Sequence, residues 1–137
     1  AVKYESRIMD LEKKFKSQGY PVIAISPNDP TIVPDDSYEN MQALAKKKGY
    51  SFPYLMDETQ DIAKTYGATK TPHVYILQKE NGAMVVKYIG AIDDNADDAS
   101  AVKEKYVENA IANLKAGKPV TPETTKAIGC GIKWKKV

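Results

Sequence analysis

Ala68-Thr69-Lys70-Thr71-Pro72-His73-Val74-Tyr75-Ile76-Leu77 is the stretch on which the reading of this chain turns. A helical segment runs into Gly67, a proline interrupts, and an apolar, β-rich run follows at once. Proline removes a backbone donor and holds φ at about −65°, so at the mouth of a strand it sets how the chain enters. Two states are open to the Thr71–Pro72 bond. Trans is the ordinary one, since cis accounts for only about 5–6% of X–Pro bonds in folded proteins. Beyond the turn, His73–Gln78 and Met84–Ile89 read as strands separated by Glu80-Asn81-Gly82. Asn-Gly between two β runs is a strong hairpin signal, so the two strands are expected to be antiparallel.

Upstream, Asp57-Glu58-Thr59 opens a helix over Gln60–Tyr66, with an acidic start that suits the helix dipole and Gly67 as its stop. Ser51–Met56 is a short extended stretch. Ser37 is a good N-cap for a helix over Tyr38–Lys48, which carries Met41, Leu44 and Ala45 inward and stops at Gly49. Asn40 stands where a capping box calls for Glu, so the box is incomplete. Tyr20–Ser26 is a continuous apolar run, consistent with a buried parallel strand, and Pro27-Asn28-Asp29-Pro30 ends it in a turn. Ala1–Gln18 reads as a helix, with Val2, Ile8, Leu11 and Phe15 near helical spacing and Gly19 as the stop. No capping residue stands before Val2.

Downstream, Gly90 leads into an acidic loop, Asp93-Asp94-Asn95-Ala96-Asp97-Asp98. A long helix is expected from Ser100 to Ala116, with Val102, Tyr106, Ile111 and Leu114 inward. From Gly117 onward the chain reads as a tail laid across the surface rather than another element. The resulting organisation is one domain over 1–116 with the tail, 117–137, packed on it. A crossover of helix and strand, then a hairpin and a last helix, is an α/β pattern with both parallel and antiparallel pairing.

At 137 residues, 42% hydrophobic and 28% charged, the chain has the composition of an ordinary globular protein able to bury a core. A net charge of +2, with lysines scattered among acids, argues against a nucleic-acid partner. No apolar run approaches the roughly 20 residues of a membrane span, so no membrane partner is expected.

Several short pieces together resemble the AhpC/TSA (peroxiredoxin-like) redoxins of the thioredoxin superfamily. They include Val2-Lys3-Tyr4-Glu5, Ile25-Ser26-Pro27-Asn28-Asp29, Phe52-Pro53-Tyr54-Leu55 and Asp57-Glu58-Thr59-Gln60. Further along come Ala63–Ala68, Thr71-Pro72-His73, Ile92–Asn95, Gly117-Lys118-Pro119-Val120 and Gly129-Cys130-Gly131-Ile132-Lys133-Trp134. The resemblance spans Tyr4 to Trp134. It implies a thioredoxin-like three-layer α/β/α sandwich with a mixed sheet, and a cis Pro72 in a loop where Thr71, Pro72 and His73 bind substrate. In such relatives a Cys-Pro pair stands just before the residues matching Ala1-Val2-Lys3. The chain is therefore expected to be truncated before Ala1, with the first strand or strands and the catalytic-cysteine turn missing. The activity implied is a thiol oxidoreductase acting on a peroxide or a protein disulfide, with a thioredoxin-type thiol as reductant and no cofactor. A homodimer is open to it, and a cytoplasmic location is expected, the periplasm being the alternative.

Cys130 is the single thiol. It reads either as an inert cysteine or as the redox partner of the upstream cysteine, with flanking glycines that let the backbone approach closely and Lys133 and Lys135 to favour a thiolate. His73, the single histidine, either tunes a thiolate or points into the sheet, and with one histidine a His-rich metal site is excluded. Asp93, Asn95 and Asp97 with Glu104 in the twelfth place partly mimic a calcium loop, but Asp98 replaces the glycine of the sharp turn, so a solvated loop is the preferred reading and no metal is expected. The rival to the enzyme is a non-catalytic thioredoxin-fold module that holds extended peptides on the Pro72 loop and exposed edges.

Overall fold

The computed structural model describes residues 2–136. The chain divides into two compact units, one made of Glu5–Thr69 and the segment from Gly131 onward, the other of Lys70–Cys130 with the residues up to Tyr4.

In the first unit, helix α1 covers Glu5–Phe15 and continues as a 3₁₀ turn over Lys16–Gln18 to Gly19. Ala1, where the expected helix began, lies outside the described residues. Glu12 and Phe15 are the buried positions of α1. A buried carboxylate needs a donor, and Glu12 takes the Val22 N–H at 2.9 Å, fixing the approach to the first strand. Strands β1 (Ala24–Ser26) and β2 (Tyr54–Met56) pair in parallel, Ile25 opposite Leu55. The expected strand over Tyr20–Ser26 is thus three residues long, because its partner is confined between Pro53 and the turn at Asp57. Burial is one-sided as well: Ile23, Ile25 and Leu55 are exposed, while Ser26 is buried.

Helix α2 (Tyr38–Lys48) begins and ends at the expected caps. Ser37 accepts from the Asn40 N–H, and Gly49 closes the helix in the left-handed region. The Asn40 side chain donates to the Pro34 carbonyl at 3.0 Å, so no reciprocal box forms. Tyr50 then donates to Glu5 at 2.9 Å and stacks on Phe52, and burial first, then Glu5, raises its phenol pKa. Helix α3 (Asp61–Tyr66) is anchored by buried Asp57, whose carboxylate accepts from Ala63 N–H at 2.8 Å.

In the second unit, β3 is Lys70–Thr71, and β4 (Val74–Glu80) pairs antiparallel with β5 (Ala83–Gly90). Glu80 faces Ala83 across Asn81 and Gly82, both at positive φ (51° and 82°), the geometry of a two-residue hairpin turn matched to strand twist. The register shifts between Ile76 and Leu77, where Lys87 is the extra residue. Helix α4 covers Tyr106–Lys115, shorter than the helix expected from Ser100. Asp98 instead caps a 3₁₀ turn at Ala99–Ala101. Asp94 then accepts the Lys103 N–H and donates its own N–H to the Glu104 carbonyl, and these bonds tie up the backbone that a longer helix would use. The inward face shifts accordingly to Val107, Ala110 and Ile111.

The tail is more than a surface covering. Ile89 exchanges backbone bonds with it, donating its N–H to the Glu123 carbonyl and accepting the Thr125 N–H at its own carbonyl, both 3.0 Å. Cys130–Gly131 forms a further strand, β6, paired with β3. Among the described residues no helix is long and apolar enough to cross a membrane.

Candidate functional site

The residues singled out around Pro72 lie in the second unit, where Thr71 closes β3 and Val74 opens β4. The Thr71–Pro72 bond is cis. Thr71 Oγ1 lies 3.5 Å from the Cys130 carbonyl, so the structure brings these two expected residues together through the backbone of Cys130. Its thiol is in no disulfide and is exposed.

What allows this approach is Gly129. A Cβ there would overlap the Thr71 carbonyl oxygen and lie 2.7 Å from its carbon and 3.0 Å from the Pro72 nitrogen. Of the two glycines flanking Cys130, only this one is packed that closely; a Cβ on Gly131 would meet open space.

His73, just before β4, stacks on Tyr75, ring centroids 5.1 Å apart and 25° between planes. Burial lowers its pKa below the ordinary value, so the neutral imidazole is favoured. The sign follows from linkage: a lowered folded pKa contributes stability that is present above about pH 6.5 and lost as pH falls through the folded value. Urea midpoints at pH 7.5 and pH 5 are expected to drop more for the wild type than for His73→Gln. Equal drops would assign the acid sensitivity elsewhere.

Lys3, in the 3₁₀ turn Val2–Tyr4, is a residue the sequence did not single out for chemistry. Its ammonium bonds Asp97 at 2.6 Å, and its pKa is raised by that bond first and by Asp97's charge second, with Cys130 the smallest contributor. Asp97 is correspondingly lowered by Lys3. Asp97 therefore faces a lysine on the surface of the unit.

The rest of the acidic loop satisfies backbone donors. Asn95 Oδ1 takes the N–H groups of Asp97 and Asp98, and Asp93 takes that of Asn95. Tyr4 also reaches Asp93, at 3.4 Å. Among the described residues no group of three or more His, Cys, Asp or Glu side chains is placed to hold a metal ion.

A parallel strand pair, an antiparallel hairpin following a cis-proline turn and helices on this order define a thioredoxin-like α/β protein. The AhpC/TSA family profile matches residues 3–89, and the chain belongs to that family. It is similar over 99% of its length to an uncharacterized conserved protein from Geobacillus kaustophilus, with 36% identity and a TM-score of 0.85, spanning 70% of that chain. A hypothetical protein from Sinorhizobium meliloti 1021 is similar over 99% of this chain and 73% of its own, at 31% identity and a TM-score of 0.86. No curated protein matches the chain.

Proposed function

We propose that this protein is a thiol oxidoreductase that reduces peroxides or disulfides, with a cysteine preceding Ala1 as nucleophile and Cys130 as its redox partner. The observation that carries the reading is the exposed Cys130, whose backbone carbonyl lies 3.5 Å from Thr71 Oγ1 beside the cis Thr71–Pro72 turn, in one compact unit. Family membership supplies the chemistry class. In the peroxide form of the reaction, the nucleophilic thiolate attacks one peroxide oxygen, the O–O bond breaks, and the second oxygen leaves as alcohol or water after taking a proton. The nucleophile is then a sulfenic acid, oxidised by two electrons. The Cys130 thiol condenses with it, forming an S–S bond and releasing water. A dithiol of thioredoxin type restores both thiols by exchange and leaves as a disulfide.

The test uses the protein with its preceding residues. One equivalent of hydrogen peroxide is expected to make it lighter by two hydrogens and to protect Cys130 from alkylation until a reductant is added. Cys130→Ser is expected to stop one oxygen heavier, as a sulfenic acid trapped by dimedone. A Cys130 that alkylates at an unchanged rate after peroxide would overturn its role. Absence of any peroxide- or disulfide-dependent mass change would overturn the enzyme.

A further inference from the structure

A strand edge is a row of N–H and C=O groups that any extended chain able to approach will pair with. At Thr71 that edge is already occupied by the protein's own chain. β3 pairs with β6, Thr71 Oγ1 donates to the Cys130 carbonyl, and Gly129 lies so close that a Cβ would overlap the Thr71 carbonyl oxygen. Only glycine permits backbone to approach backbone in this way.

Three residues beyond Cys130, past the end of β6, the chain is tied again. Lys133 donates its N–H to Asn28 Oδ1 at 2.8 Å, and its carbonyl accepts from Asp29 N–H at 2.9 Å and from Gln60 Nε2 at 3.0 Å. Gln60 is 1% exposed, so its bond to the Lys133 carbonyl comes from a buried side chain, whereas the Lys133–Asn28 bond lies at the surface.

We propose that Gly129–Cys130 is a built-in occupant of the Thr71 edge, lying where an extended polypeptide would add, so that no peptide docks there until the C-terminal strand lifts. An extended polypeptide would have to displace the chain's own strand to pair there. The same occupancy weighs against a module that holds peptides on the Pro72 loop.

Binding can be tested without any thiol chemistry, so its failure is separable from failure of the redox reading. The probe is a fluorescein-labelled peptide matching residues 127–134, with serine in place of the cysteine, followed by anisotropy. Wild type is expected to show no saturable binding, and Gly129→Val, which cannot keep its strand against Thr71, to bind at least tenfold more tightly. Should that variant fail to fold by circular dichroism, Asn28→Ala, which removes the acceptor of the Lys133 N–H, is expected to shift binding in the same direction. Wild type binding as tightly as the variants overturns the proposal, and so does a folded variant that binds no better than wild type.

Discussion

Gln60→Ala is expected to destabilise the protein by about 2–4 kcal/mol, although Gln60 touches no candidate catalytic group. The side chain is a three-way connector. Nε2 donates to the Pro27 carbonyl at 2.7 Å and the Lys133 carbonyl at 3.0 Å, while Oε1 accepts the Lys135 N–H at 3.0 Å. Asp29 still serves the Lys133 carbonyl after truncation, but the Pro27 carbonyl and the Lys135 amide lose their named partner. A buried polar group left unsatisfied costs roughly 1–3 kcal/mol, far more than the net value of an ordinary hydrogen bond. The residue itself sits at φ 66°, in the left-handed region, where non-glycine residues are uncommon. Alanine suffers the same backbone strain, so the loss reads the side chain: its bonds and the buried volume it fills.

Gln60→Glu separates those bonds by charge. It keeps the acceptor for Lys135 but turns the two donors into a carboxylate oxygen facing carbonyls. At pH 7 it is expected to be at least as unstable as Gln60→Ala. The facing carbonyls raise the folded pKa of the substituted carboxyl, so stability is present below the unfolded value, about 4.3, and lost as pH rises through the folded one. Partial recovery in acid, relative to wild type, is therefore its signature. Denaturant midpoints across pH measure it, and a Gln60→Ala loss under about 0.5 kcal/mol, the range of a neutral surface change, would show that the connector is not made.

Gly90→Ala is expected to have a comparable effect, about 3 kcal/mol, through a different physical cause. Gly90 has φ 152°, and a Cβ there would overlap Thr125 Oγ1 and lie 2.6 Å from the Thr125 carbonyl oxygen and 2.9 Å from its nitrogen. Two of these three atoms are backbone, so the segment as a whole must move. What it would leave is a closed set of bonds. Tyr88 donates its hydroxyl to the Ala91 carbonyl at 2.5 Å, so the Thr125 hydroxyl donates to Tyr88 at 2.6 Å and accepts the Ala91 N–H at 3.0 Å. Tyr88 and Ala91 are 1% and 2% exposed, and water has little access to replace the lost partner. Thr125→Val, which removes the hydroxyl without the clash, is expected to lose about 1–3 kcal/mol. Amide exchange at Ile89 and Thr125 distinguishes the two: both amides lose protection in Gly90→Ala, and both keep it in Thr125→Val. A Gly90→Ala protein as stable as wild type would mean that the tail does not pack against Gly90.

Neighbouring residues were enough to reveal much of the fold. The Ser37 and Gly49 caps bound α2, Asn81-Gly82 reversed the hairpin, and Thr71-Pro72-His73 marked the turn where β3 gives way to β4. Cap and turn chemistry acts over three or four residues, so its signal survives in the linear chain. The family resemblance carried by the Pro72 turn agrees with the profile over residues 3–89. α4 was misplaced at its start because Asp94 competes for the backbone of Lys103 and Glu104 from nine residues or more away. The tail was the larger omission. Gln60 meets the Lys133 carbonyl 73 residues away, and Tyr88 meets Thr125 across 37. Gly129, read in the sequence as a glycine that lets the backbone approach closely, makes that approach to Thr71, a partner the sequence did not identify. Local φ preferences and capping are properties of residue type and appear in any window of the sequence. Which distant carbonyl a buried amide satisfies depends on where folding places both, and that is settled only when the chain has closed on itself.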